Sequence, residues 1–228
     1  NLALRGRELL RLKQKAIENC AAHRIGVTLV PTLVPGVNTQ DIGNIIRFAL
    51  SLSPAVRGVH FQPVSYFGRY PQPPQDEQRY TLAELLSAIP EQTDGLVTLK
   101  HIAPSHCDHP LCGFHASFIT EPDGGLTAVT QPQSCCCSKP TTAEQNREYI
   151  GRRWQRGPAP VKPPADGFDR FLQKSRDRAF TITAMAFQDA WNLDIERLRR
   201  CSLHVYDDGR TVPFCARYLT LAGDRHER

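Results

Sequence analysis

The chain has 228 residues, with 28 Lys and Arg against 23 Asp and Glu for a net charge of +5, and 40% of its residues are apolar. That is enough for one large domain or two small ones with a buried core and no need of disulfide staples, and the basic residues are too scattered to argue for nucleic acid. No apolar run approaches the roughly 18 residues of a membrane span, and the N-terminal segment lacks the apolar centre of a signal peptide, which points to a cytoplasmic protein without a transmembrane segment.

From Leu9 to Ala21 the apolar residues Leu9, Leu12, Ala16, Ile17 and Cys20 recur at three and four, which predicts an amphipathic helix. "IGVTLVPTLV" (25–34) is a near-continuous apolar and β-branched run, the pattern of a parallel strand covered on both faces, and "GVN" turns the chain after it. Asn38 or Thr39 can then cap a helix through "IGNIIRFALSL", and "VRGVHFQPVS" (56–65) follows as a second buried strand. A proline-rich loop, "RYPQPPQDEQRY", leads to Thr81, which with Glu84 forms a capping box for "LAELLSAI". Helix, strand, helix, strand, helix specifies a parallel sheet with right-handed crossovers, either doubly wound or part of a β/α barrel.

After residue 96 the stretches shorten and the cysteines cluster. "HASFIT" and "LTAVT" flank a turn at "PDGG", a small hairpin between cysteine loops. Thr141 and Glu144 make a second capping box, and "RGPAPVKPPADG" reads as an extended linker. The tail gives a strand in "AFTITAMAF", a helix in "LDIERLRR" and a hairpin in "SLHVYDDGRTVPFC". The expected organisation is a β/α part over 1–95, a cysteine-rich region over 96–160 and a strand-helix-hairpin unit over 161–228.

Eight cysteines without a secretion signal suit metal binding or redox chemistry better than disulfides. Cys201 and Cys215 are symmetric about Asp208, so a three-residue loop would set them opposite each other at the open end of the hairpin, with Cα atoms roughly 4.5–5.5 Å apart. With Cys107 and Cys112 of "SHCDHPLCGFH" they form two thiolate pairs, the set that a tetrahedral zinc or an iron–sulfur cluster requires. Four residues intervene in the first pair and thirteen in the second, spacings that favour neither metal. Cys135, Cys136 and Cys137 are further candidate ligands or plain buried thiols, and Cys20 is most simply a core residue. His106, His109 and His115 are spare ligands or, more plainly, turn and surface histidines.

"LVPTLVPGVNTQDIG" followed by "VHFQPVSYFGR" resembles the fifth and sixth strands of the six-fold partial β/α barrel of radical S-adenosylmethionine (radical SAM) enzymes. "HCDHPLCGF" and the tail from "FTITAMAFQDAW" to "VPFC" resemble the C-terminal region of the branch with the archaeal tetraether lipid synthases and the radical SAM (seleno)proteins called TrsS. The fold so implied is α/β, the C-terminal part of a (β/α)6 barrel followed by a cysteine-rich auxiliary-cluster region. The resemblance implies S-adenosyl-L-methionine and a 4Fe–4S cluster as cofactors, an electron donor such as ferredoxin or flavodoxin, and a small-molecule or lipid substrate, with carbon–carbon coupling of lipid chains as the chemistry of the tetraether branch.

It also implies that Gly36, Val37 and Asn38, with Gln62 and Pro63 at the same strand edge, line the S-adenosylmethionine site. Cys107, Cys112, Cys135, Cys136, Cys137, Cys201 and Cys215 then become candidate ligands of an auxiliary cluster. The family's CxxxCxxC motif is absent, and the only methionine is Met185, so the sequence is expected to be the back portion of a longer enzyme, without radical chemistry alone. The competing expectation is a non-catalytic, zinc-stabilised binding module.

Overall fold

A computed structural model describes residues 2–68, 72–104, 109–129 and 166–219. The elements run α1 (Leu2–Arg5), α2 (Leu10–Ala22), β1 (Val27–Leu29), β2 (Thr32–Leu33), α3 (Ile42–Ser51), β3 (Val56–Pro63), α4 (Leu82–Gln92), β4 (Ala103–Pro104), β5 (Gly113–Thr120), β6 (Leu126–Ala128), α5 (Gly167–Arg178), β7 (Ala179–Met185), α6 (Ile195–Arg199), β8 (His204–Asp207), β9 (Arg210–Pro213) and α7 (Phe214–Arg217). The fold is mixed α/β. Seven strands form one sheet in the order β1-β3-β7-β5-β4, with β2 on β3 and β6 on β5, while β8 and β9 pair apart from it. Both β1 and β2 run parallel to β3, as the alternation of strand and helix requires. β5 is antiparallel to both β4 and β6, so the expected small hairpin is instead built into the main sheet.

Two compact units divide the chain: Asn1–Leu29, Ile45–Val59 and Ser117–Thr181 in the first, and Val30–Asn44, His60–Ala116 and Ile182–Arg228 in the second. In the first, Val56, Val59, Phe118, Ile119 and Phe180 are buried. The "PDGG" turn closes β5 on β6 with Thr120 opposite Leu126, and Asp123 Oδ1 accepts from Gly125 N at 2.9 Å. Lys174 of α5 reaches Glu121 at 2.7 Å. The sequence reading left α5 unassigned. Its signal was Asp166, whose carboxylate caps the helix by accepting from Asp169 N at 2.8 Å.

Two expectations for the first 34 residues change. The first amphipathic helix forms, yet only Ile17 of its stripe is buried, and Leu12 stays 66% exposed. The run 25–34 is not one strand covered on both faces: Pro31 has no N–H to donate, the run splits into β1 and β2, and Ile25 and Val30 are more than half exposed.

The second unit buries Leu33, Ile42, Phe61, Leu85, Ile89, Val97, Phe114, Ala116, Ile182 and Ala184. The capping box of α4 forms as read: Glu84 N donates to Thr81 Oγ1 at 3.2 Å, and Thr81 N donates to Glu84 Oε2 at 2.7 Å. Burial alternates along the strands. Phe61 of β3, Ile182 and Ala184 of β7, and Phe114 and Ala116 of β5 are buried, whereas His60, Gln62, Thr183, Met185 and His115 are half-buried. With period two, this separates an apolar sheet face from a polar one.

Candidate functional site

The tail hairpin departs from its sequence reading by one residue. Asp207 pairs with Arg210 and His204 with Pro213, so the loop has two residues, Asp208 and Gly209, both at positive φ. Asp-Gly favours this tight turn because its two positions take left-handed backbone. Cys201 and Cys215 are therefore not directly opposite. Cys215 lies in α7, one turn of helix that begins where β9 ends, and Cys201 precedes β8.

The thiols of Cys112 and Cys201 nevertheless both act electrostatically on that of Cys215. The buried Cys215 thiol is pushed up, first by desolvation and then by the nearby charges of Cys201 and Cys112, with the Gln188 amide and Arg197 acting in the opposite direction. Gln188 N donates to Cys215 Sγ at 3.3 Å, Arg197 Nε to Cys112 Sγ at 3.3 Å, and the Cys201 thiol to Leu203 O at 3.1 Å. Cys112 is placed by β5. A Cβ on Gly113 would come within 2.3 Å of Ala184 O, so glycine is needed for that approach, and Ala186 N then bonds Cys112 O at 2.8 Å.

Cys107, Cys135, Cys136, Cys137 and His106 lie outside the described residues, as do the second capping box and most of the linker. His109 is a turn histidine whose Nδ1 accepts from Leu111 N at 3.2 Å, and Cys20 is partly exposed. The N–H donors at Cys112 and Cys215 favour the thiolate form, but at Cys215 burial outweighs them. Among the described residues, however, no three His, Cys, Asp or Glu side chains are grouped tightly enough to hold an ion. A closed ligand sphere needs a further donor, and Cys107, five residues before Cys112, is the nearest other cysteine in sequence.

An aromatic cluster adjoins Cys215: Phe214 packs on Phe187 with ring centroids at 4.7 Å and on Tyr218 at 4.9 Å, and Phe67 stands 5.6 Å from Tyr218. Behind Phe187 comes Asp189, fully buried, accepting from Tyr66 N at 2.9 Å, Trp191 N at 3.1 Å and both Nη atoms of Arg79 at 3.0 Å. Burial pushes its carboxyl up, but the Arg79 guanidinium and the two amides outweigh this and hold it below the usual carboxylate range.

The strand-edge residues behave differently from one another. Gly36 takes φ +71 with open space where a Cβ would stand, so its backbone conformation, not a close protein contact, calls for glycine. Asn38 does not cap a helix. Its Oδ1 accepts from Val34 N and its Nδ2 donates to Thr32 O, each at 2.8 Å, tying the loop through Val37 to β2. Gln62 is half-buried on the polar sheet face, and Pro63 is buried beside Leu33 in the β2–β3 ladder. On that face His60, which the sequence reading passed over, stands with Nδ1 2.8 Å from Thr183 Oγ1. Burial pushes this imidazole down, which keeps it neutral at neutral pH.

No family model matches the chain. It is 32% identical, over 273 aligned positions, to a 7,8-dihydro-6-hydroxymethylpterin dimethyltransferase of Methanocaldococcus jannaschii, an alignment that takes in 96% of this chain and 53% of the relative. The chain thus spans about half the length of the curated relative it matches.

Proposed function

We propose that the chain serves a radical SAM methyltransferase acting on a reduced pterin or a similar nitrogen heterocycle, with Cys107, Cys112, Cys201 and Cys215 holding an auxiliary iron–sulfur group. One observation carries this reading: the match to a pterin dimethyltransferase extends along nearly the whole chain. Together with the strand and tail motifs that resemble radical SAM enzymes, it favours methyl transfer over lipid carbon–carbon coupling, and it moves the branch away from the tetraether and TrsS proteins. In this reading S-adenosylmethionine supplies the radical and the methyl group. The chain's own part is to bind and orient. Gly36, Val37 and Asn38 offer backbone at the ends of the parallel strands, where α/β folds take ligands. His60, Gln62 and Thr183 offer neutral hydrogen-bonding groups on the polar sheet face, chemistry that suits an uncharged heterocycle rather than a lipid tail. The cysteines lie apart in sequence from these residues and serve electron transfer or a late ligand position.

The test uses the native protein that contains this chain, reconstituted anaerobically with iron and sulfide. It is incubated with a reductant, 7,8-dihydro-6-hydroxymethylpterin and S-adenosylmethionine labelled in its methyl group. Label in the pterin, with 5′-deoxyadenosine released, is the expected result. Absence of both overturns the proposal, and 5′-deoxyadenosine without label in the pterin overturns the substrate assignment.

A further inference from the structure

Three polar side chains of the second unit keep hydrogen-bonding capacity that comparable groups in the same unit have spent. Asn38 uses both ends of its carboxamide, on Val34 N and Thr32 O. Gln92 does the same, accepting from Gly43 N at 3.1 Å and donating to Thr39 O at 2.8 Å. Thr32, His60 and Gln62 are half-buried as these two are. Yet among the described residues no hydrogen bond reaches the Thr32 hydroxyl, the Gln62 carboxamide or His60 Nε2.

The three share one face and one edge. Thr32 of β2 is the partner of Gln62 in the parallel ladder, so both side chains leave the sheet on the same side, while the next pair, Leu33 and Pro63, is buried on the other. His60 lies two positions before Gln62 on β3 and therefore faces the same way. β7 runs parallel to β3: His60 meets Thr183, Ser65 Oγ donates to Phe187 O and Tyr66 N donates to Asp189 Oδ2, so the contacts advance together along both segments. Thr183 Oγ1, 2.8 Å from His60 Nδ1, holds the ring by that nitrogen and leaves Nε2 as its remaining hydrogen-bonding atom. β2 and β3 end at Leu33 and Pro63, which puts the row at their C-terminal edge, where α/β folds take ligands. Backbone spacings of about 4.8 Å from Thr32 to Gln62 across the ladder and about 6.6 Å from His60 to Gln62 along the strand are on the scale of one fused ring system.

No member of the row, nor Thr183, is a carboxylate, an ammonium or a guanidinium, so the row has no charge with which to select a phosphate or a carboxylate. A hydrocarbon tail would leave all three groups unpaired. A carboxamide offers a donor and an acceptor side by side, a hydroxyl offers either, and an imidazole nitrogen adds one more. That set complements a heterocycle edge on which carbonyl, ring N–H and amino groups follow one another, as they do in a pterin. We infer that Thr32, Gln62 and His60 recognise this edge of the reduced pterin, with Thr183 as the positioning residue that orients the His60 ring. This rests on the pterin reading of the substrate. A site built from hydrogen-bonding groups rejects ligands without the complementary ones, because its own groups are then left unpaired.

The experiment uses the native protein that contains this chain, reconstituted as above, and compares wild type with Thr32→Val, Gln62→Met, His60→Phe, Thr183→Val and Thr183→Ser. It reads Kd for 7,8-dihydro-6-hydroxymethylpterin, KM for the pterin and for S-adenosylmethionine, and helix content by circular dichroism. Thr32→Val, Gln62→Met and His60→Phe should each weaken pterin binding about 5–100-fold, with helix content and the KM for S-adenosylmethionine unchanged. Thr183→Val should weaken it less and Thr183→Ser restore it. In a His60→Phe background Thr183→Val should add nothing, because its effect passes through that ring. Wild-type pterin binding in Gln62→Met and His60→Phe overturns the inference. So does a raised KM for S-adenosylmethionine with pterin binding unchanged, which would assign the row to the adenine. A wild-type protein that neither binds nor methylates the pterin overturns the substrate reading and the inference with it.

Discussion

Helix α4 and the segment from Ala186 to Arg197 are both ordered and partly buried, but they are held by opposite means. Residues α4 sends inward are Leu85 and Ile89, both fully buried, and its polar start is closed by Thr81 and Glu84 three positions apart. The inward residues of the later segment are Gln188 and Asp189, at 1% and 0% exposure, and their partners lie far along the chain: Arg79 is 110 positions from Asp189, and Cys215 is 27 from Gln188. An apolar core tolerates loss of a contact in proportion to the area exposed, whereas a buried polar circuit penalises the loss of one member by stranding the others.

The sharpest way to break that contrast is Asp189→Ala. It leaves the Arg79 guanidinium and two amides without their acceptor, and a cost of about 3–5 kcal/mol in urea denaturation is expected. Adding Arg79→Met in the same chain should recover much of it, because the stranded charge is then gone. Equal losses in the single and double variants would show that the circuit acts by packing alone. Leu85→Ala on the other side of the comparison should cost about 2–5 kcal/mol with no rescue by any polar substitution. Thr81→Ala should cost only about 1 kcal/mol, since it removes one cap.

How much of this was legible follows the same division. Thr81 with Glu84 and the turn at "PDGG" are local, and residue type and spacing alone place them. The tail hairpin was misjudged by one residue because its loop length sets the register, and Asp208 with Gly209 closes the chain in two residues where three were assumed. That Cys112 and Cys201 both bear electrostatically on Cys215 was approachable from the thiol count. Arg197 was not, since nothing near position 197 says that its Nε meets a sulfur 85 positions away. His60 was passed over for a similar reason: inside a buried-strand pattern it reads as one more core position, and only pairing with Thr183 reveals the polar sheet face.

That face gives the smallest expected effect. Burial lowers the His60 pKa below that of the unfolded chain, so the unfolded state binds the proton more readily. Stability is therefore complete above the unfolded value of about 6.5 and declines as pH falls from there through the lower folded value. The carboxylate of Asp189 is also depressed, and its contribution is lost only at more acid pH, as pH falls below about 4 toward its folded value. A His60→Gln chain should lose the first decline and keep the second, as read by thermal denaturation across pH. An unchanged profile in His60→Gln would remove His60 as its source.

The account turns on what the cysteines hold. Iron-edge X-ray absorption of the anaerobically reconstituted chain tests this most directly. Iron–sulfur and iron–iron scattering in the wild-type chain, both lost in a Cys112→Ala, Cys215→Ala double variant that keeps its helix content, is the predicted result. A colourless chain holding one zinc through those cysteines, with no iron–iron scattering after reconstitution, would contradict it.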